Sequence, residues 1–316
     1  MKVLVTPTSL QPDKSIPALD ALKSFADEIV FNPYGRPLNQ VELKDLLHGC
    51  EGYIAGLDYI DADVIESCDK LRVISRYGAG VDRVDIEAAK AKGIIVCNTP
   101  GANSQAVADM TFGLLLAVAR KIPSLDAKTK AAEWVHSTGV ELYDKTIGIV
   151  GLGAIGKAVA KRAQGFSMKV LAYDPYIDNT YAKANNIVST TLEQIAGSAD
   201  VISLHLPYMP ETRHIISGDL MRSMKPGVII INTSRGGLID EEETFTLLDS
   251  GHIGGLGLDA FEQEPLGETA FANYDNVVLT PHTAAHTKEA TSNMASMAIQ
   301  NLIDVLSGKN CPYIIK

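Results

Sequence analysis

The chain has 316 residues, enough for about two domains, and 46% of them are apolar, so cores of ordinary size can be buried. The net charge of −10 comes without a basic run of more than a few residues, which argues against a nucleic-acid partner. The longest apolar run, 112–119, is far below a membrane span, the first residues read as a strand rather than a signal peptide, and Cys50, Cys68, Cys97 and Cys311 show no C-x-x-C spacing. A reducing cytoplasm is therefore expected, with neither a zinc site nor a redox pair.

Residues 1–99 alternate strand patterns (2–6, 29–31, 52–55, 72–75, 94–97) with helical ones (near 16–26, 39–48, 61–67, 85–92). Alternation of this kind predicts a parallel sheet. The turn Arg76-Tyr77-Gly78-Ala79-Gly80-Val81-Asp82 follows a strand directly. Its glycines suit an anion-binding nest of consecutive N–H groups, or simply a tight turn before a helix. From about 105 to 120 a helical pattern is apolar nearly all round (Val107, Met110, Phe112, Leu114, Leu115, Leu116, Val118). Such a helix is buried on several sides, in the middle of the protein or against a second subunit.

Residues 145–174 read as strand, glycine turn, helix, strand and acid. A β-branched run at 146–150 leads into Gly151-Leu152-Gly153-Ala154-Ile155-Gly156, a G-x-G-x-x-G. Gly151 permits the turn, Gly153 lets backbone approach a pyrophosphate, and Gly156 lets the helix sit close on the strand. The helix N-terminus offers N–H groups and a positive dipole end to the phosphates. Asp174 closes the second strand where a ribose 2′-hydroxyl would lie, and Pro175-Tyr176 rather than an Arg follows it. A carboxylate there repels a 2′-phosphate, so NAD is expected over NADP.

Strand patterns return at 201–206, 228–232, 255–259 and 277–280, separated by helical stretches at 191–196, 217–224 and 240–249. A last helical pattern, 286–305, suggests a return to the first domain. The expected fold is α/β: two doubly wound parallel-sheet domains, with a Rossmann cofactor domain (100–285) inserted into a flavodoxin-like substrate domain (1–99 plus 286–316). Two crossovers would then make a cleft with a hinge.

Ligands of open α/β sheets bind at the carboxyl ends of strands. The loops that follow three strands of the second domain carry Arg235, Glu264 and His282. Together they fit hydride transfer between NAD and a carbinol next to a carboxylate. Arg binds a carboxylate in forked geometry, His carries the hydroxyl proton, and Glu orients the imidazole and raises its proton affinity. An Arg–Glu surface pair, worth about 0–1 kcal/mol, and a loop-capping histidine are the plainer alternatives. His282 and His286 are four apart, but no Glu follows His282 and no third ligand lies beside the pair, so no metal is expected. His205 ends a strand and either touches the cofactor or caps the loop. His48, His136, His214 and His252 read as surface or turn residues.

These stretches, with Asn98-Thr99-Pro100-Gly101, Leu204-His205-Leu206-Pro207 and Thr280-Pro281-His282, resemble the D-isomer-specific 2-hydroxyacid dehydrogenase family along nearly the whole chain. The resemblance implies a catalytic trio of Arg235, Glu264 and His282. It implies NAD contacts from Gly151, Gly153, Ala154, Ile155, Gly156, Asp174, His205, Pro207, Thr212, Thr233, Ser234, Asp259 and Ala284. Substrate contacts would come from Arg76, Gly78, Ala79, Gly80 and Asn103. A homodimer through 101–140, including Trp134, is implied as well. Within the family the chain is most similar to short phosphoglycerate dehydrogenases without a regulatory domain, which implies 3-phosphoglycerate and phosphohydroxypyruvate as substrates.

Three departures leave glyoxylate or hydroxypyruvate open. Ala55-Gly56-Leu57 stands where phosphate-binding members often carry an Arg, and Val135-His136 where a further basic residue is common. His286 replaces a small or aromatic residue. Glu264 speaks against a formate dehydrogenase, which has an amide there. A non-catalytic NAD-sensing partner protein is the reading from a different class.

Overall fold

Short runs such as KVLV and TIGIV are buried at nearly every position, as strands covered on both faces must be. A computed structural model describing residues 1–12 and 16–315 builds them into two compact units, Met1–Asn103 with His286–Lys316, and Ser104–Ala285. Residues 13–15 and 316, within the expected first domain, lie outside the described residues.

The first unit opens with β1 (Lys2–Val5), α1 (Pro17–Phe25), β2 (Glu28–Phe31), α2 (Gln40–Leu47), β3 (Gly52–Ala55), α3 (Ala62–Ser67), β4 (Val73–Arg76), α4 (Ile86–Ala91) and β5 (Ile95–Cys97). Helix starts are set by side chains that satisfy orphan N–H groups: Asn39 and Glu42 form a reciprocal capping box on α2, and Asp61 and Asp85 cap α3 and α4. The sheet is parallel, in the order β2-β1-β3-β4-β5 of flavodoxin-like folds.

The second unit continues with α5 (Ser104–Ala119), α6 (Ile122–Lys130), β6 (Thr146–Val150), α7 (Ala154–Gly165), β7 (Lys169–Tyr173), α8 (Asn179–Ala184), β8 (Ile187–Ser189), α9 (Leu192–Ser198), β9 (Val201–Leu204), α10 (Gly218–Arg222), β10 (Val228–Asn232), α11 (Glu241–Asp249), β11 (Ile253–Leu258) and β12 (Val277–Leu279). Its seven parallel strands run β12-β11-β10-β9-β6-β7-β8. Counted from β6 this is the Rossmann order 3-2-1-4-5-6 with one strand added. β8, not expected from the sequence, is a three-residue edge strand paired only with β7, with two of its residues exposed.

Ten of the sixteen residues of α5 are buried, and it packs on β10, β11, β12 and α7 of its own unit. Glycines on β11 make room: a Cβ at Gly255 would meet Val118 at 2.3 Å. Last comes α12 (Lys288–Leu306), which rejoins the first unit and covers β3, β4 and β5 beside α1. Ser75 Oγ donates to the carbonyl of Ala298, and Ile315 N–H to Val96 O, so the segment after α12 zips onto the β5 edge. There the Cys97 and Cys311 sulfurs lie 3.7 Å apart as free thiols. Among the described residues no helix is long and apolar enough to cross a membrane.

Candidate active site

β6 delivers the chain to Gly151 at φ +104, in the region that favours glycine. A Cβ at Gly156 would lie 2.0 Å from the Gly151 carbonyl oxygen, so the start of α7 closes on the turn. Over Gly153 an added Cβ would meet nothing within 4 Å, and Gly153 and Ala154 are exposed. Open space at the N-terminus of a twelve-residue helix fits a pyrophosphate. Ile155 is half-buried behind it. Asp174 holds the end of β7 against this loop, accepting from Leu152 N–H (2.7 Å) and Tyr176 N–H (2.8 Å).

His205 follows β9 and lies directly over Gly151, where an added Cβ would come within 2.6 Å of its carbonyl carbon. Its Nε2 pairs with Ser203 Oγ at 2.8 Å, while its buried Nδ1 has no hydrogen-bond partner. Burial holds its pKa down to about 3, so the ring is neutral at working pH. Pro207 is exposed, and Thr212 closes the loop by donating to Pro207 O. The Thr233 hydroxyl is 2.9 Å from that of Thr111, and Ser234 Oγ donates to Leu206 O. The side chains of Thr233 and Ser234 are thus engaged within the unit.

Arg235 follows β10, and Asn232 shapes its turn by donating to Arg235 O and accepting from Ser234 N–H. The loop after β11 carries Glu264, whose Oε1 accepts from Phe261 N–H at 3.1 Å. The two loops touch backbone to backbone at Gly236, where an added Cβ would fall 1.8 Å from the Phe261 carbonyl carbon. His282, after β12, points Nδ1 at both Glu264 oxygens, each at 2.9 Å. The pair is largely shielded, with side-chain exposures of 22% and 13%. His282 sits at φ +52, a strained conformation for a side-chain residue. Asp259, fully buried, clamps that turn by accepting from Thr280 Oγ1 (2.6 Å), Thr283 N–H (2.8 Å) and Ala284 N–H (2.9 Å). His282 and His286 lie outside any helix, and among the described residues no His, Cys, Asp and Glu group could hold a metal.

In the first unit Arg76 is 3% exposed and turns inward. Its guanidinium donates to the carbonyls of Ala55 (2.6 Å), Gly56 and Gly80 (3.1 Å). Gly78 donates its N–H to Thr99 Oγ1, which narrows a nest to Ala79 and Gly80. Asn103 Oδ1 is buried without a hydrogen-bond partner. Neither the clamp at Asp259 nor the seam at Gly236 follows from the sequence pattern, although the paired glycines after Arg235 signal the second.

The Ser104–Ala285 unit is thus a dinucleotide-binding domain that carries an imidazole–carboxylate pair at its strand ends. The chain belongs to the D-isomer-specific 2-hydroxyacid dehydrogenase family: the family's NAD-binding domain matches residues 112–284. A D-3-phosphoglycerate dehydrogenase of Methanocaldococcus jannaschii is 44% identical over 259 residues, 81% of this chain and 49% of that one. The chain therefore spans about half the length of that relative. A glyoxylate reductase of Thermofilum pendens is 39% identical over 310 residues, 95% of this chain and 91% of the other. Among solved structures, the TT0316 protein of Thermus thermophilus superposes with a TM-score of 0.89 at 36% identity, covering 100% of both chains.

Proposed function

We propose that the chain is an NAD-dependent dehydrogenase of the cytoplasm that interconverts D-2-hydroxy acids and 2-oxo acids. The observation that carries this is the His282–Glu264 pair, held by Asp259 at the strand ends of the domain that also bears the open glycine loop. Bound NAD supplies the hydride acceptor or donor. His282 takes the hydroxyl proton on Nε2 in oxidation and returns it in reduction, because its Nδ1 is turned to Glu264. The Glu264 carboxylate fixes the ring and stabilises its protonated form. Arg235 binds the substrate carboxylate and polarises the adjacent carbonyl oxygen.

We assign NAD binding to Gly151, Gly153, Ala154, Ile155, Gly156, Asp174, His205, Pro207, Thr212, Thr233, Ser234, Asp259 and Ala284. Substrate binding falls to Arg76, Gly78, Ala79, Gly80 and Asn103, which makes the first unit the substrate domain. Similarity to a phosphoglycerate dehydrogenase supports 3-phosphoglycerate and phosphohydroxypyruvate as substrates. The inward turn of Arg76 favours a second reading, an unphosphorylated acid such as glyoxylate or hydroxypyruvate. Exposed Ile122, Trp134, Val135 and Val140 support a homodimer through 101–140. The net charge of −10 gives nucleic acid no basic face.

NADH oxidation by the pure protein, tested against phosphohydroxypyruvate, hydroxypyruvate, glyoxylate, pyruvate and longer 2-oxo acids, checks the reading. Turnover with one or more is expected, and inactivity with all overturns it. His282→Ala should cut kcat by about 100- to 10,000-fold while NADH still binds; a fully active variant would remove the proton-transfer role.

A further inference from the structure

Behind the loop 259–265 lies a second group of acids that the reaction above does not use. Glu241, the first residue of α11, accepts from Glu262 N–H through Oε1 at 2.9 Å. Glu262 Oε1 in turn meets His214 Nε2 at 2.7 Å. His214 is held from both sides: its N–H donates to Gly237 O, and its Nδ1 is 3.8 Å from the Asp240 carboxylate. Two residues along the loop from Glu262, Glu264 pairs with His282. One short loop thus carries the carboxylates of two imidazole–carboxylate pairs, and Glu241 holds the Glu262 N–H beside the Phe261 N–H that Glu264 takes. The peptide from Phe261 to Glu262 is also the backbone against which Gly236 packs.

We propose that Glu241 is a positioning residue for the reaction: it anchors the loop at Glu262, and its negative charge behind Glu264 raises the proton affinity of His282. The inference rests on the dehydrogenase reading. Among the charged groups facing Glu241 are Glu262 and Glu264 from the 259–265 loop and His214 from the segment before α10. Burial first, then Glu262 and Glu264, push the Glu241 carboxyl above its usual range, while the Glu262 N–H and His214 work against that rise. A carboxylate kept in place against such repulsion is repelled by Glu264, and that repulsion eases when His282 takes a proton. Charge on Glu241 therefore favours the imidazolium.

Reduction needs protonated His282, so the alkaline limb of its pH profile reports the imidazole. Glu241→Gln keeps an oxygen to accept from Glu262 N–H and removes only the charge. Its alkaline limb should move to lower pH by about half a unit or more, with kcat on the acid plateau within about threefold of wild type. The acid limb of the oxidation should move the same way, because that direction needs neutral His282. Glu241→Asp keeps the charge and shortens the reach. It should retain the wild-type pH limbs and lose kcat, which keeps the test decisive if the Gln variant fails to fold. Glu242→Gln, an exposed neighbour on α11, should change nothing.

Unmoved limbs in Glu241→Gln, or moved limbs in Glu241→Asp, would overturn the charge role. If wild type turns over no 2-oxo acid at all, the dehydrogenase reading falls, and the role of Glu241 falls with it. An active wild type with an unshifted Gln variant sinks the inference alone.

Discussion

Gly236→Ala tests how closely the Arg235 and Glu264 loops must meet. Ordinary van der Waals contact begins at about 3.4 Å, whereas the new Cβ would sit 1.8 Å from the Phe261 carbonyl carbon, 2.1 Å from Glu262 N and 2.3 Å from Phe261 O. All three atoms are backbone, so no side chain can swing aside. Relief requires the loops to part by the difference, 3.4 − 1.8, or roughly 1.6 Å. A 1 Å misplacement of reacting groups costs about 100-fold, so kcat should fall at least that far, about 2.7 kcal/mol in the barrier. The forced fit should also cost about 1–3 kcal/mol of stability, read as a Tm loss of about 2–4 °C per kcal/mol. Steady-state kinetics beside thermal unfolding and NADH fluorescence titration measure all three quantities. Gly197→Ala in α9 is the control, since its Cβ would meet nothing within 4 Å; it should leave kcat alone. Wild-type turnover in Gly236→Ala would show that the loops do not need their contact.

Arg235→Lys should raise KM and lower kcat together, because an ammonium cannot reproduce the guanidinium fork; unchanged kinetics would make Arg235 structural. Asp174→Ala should narrow the preference for NAD over NADP, measured as the ratio of kcat/KM values, and a constant ratio would mean that Asp174 does not read the ribose. His205 gives a pH effect on stability. With its folded pKa near 3 and an ordinary value of 6.5, the unfolded chain binds a proton between those limits that the folded chain does not. Stability is therefore fully present above pH 6.5 and falls below it by up to about 1.4 kcal/mol per unit. Urea midpoints at pH 5 and 6.5 should differ less in His205→Gln than in wild type; an equal difference would place the acid sensitivity elsewhere.

The sheets were legible because their strands are apolar at nearly every position and end in turn residues. β8 was not: Val188 is 58% exposed, and an edge strand of three residues has no burial pattern to betray it. Helix α6 lies in the 101–140 stretch for which the resemblance implies a dimer contact, and with no buried residue it has no stripe to find. The glycine turn and the His282–Glu264 pair could be read from residue type at strand ends. The supports could not, because they join positions far apart in the chain: Asp259 to Thr283 and Ala284, Glu241 to Glu262, Gly236 to Phe261. His214 reads as a surface or turn residue, and nothing near it in sequence announces Glu262. The resemblance makes Arg76 a substrate contact; that its guanidinium faces three carbonyls depends on two turns closing over it.

The return of α12 to the first unit sets an order of events during synthesis. β3, β4 and β5 precede the second unit in the chain, but the helix that covers one of their faces starts at Lys288. The intervening unit, 104–285, is continuous and can close as soon as it is made. At about 5–20 residues per second its synthesis occupies roughly 10–40 s. Throughout that interval a Val- and Ile-rich face waits on the ribosome without its cover, the state that holding chaperones recognise. The unit that is translated first is the last to be finished.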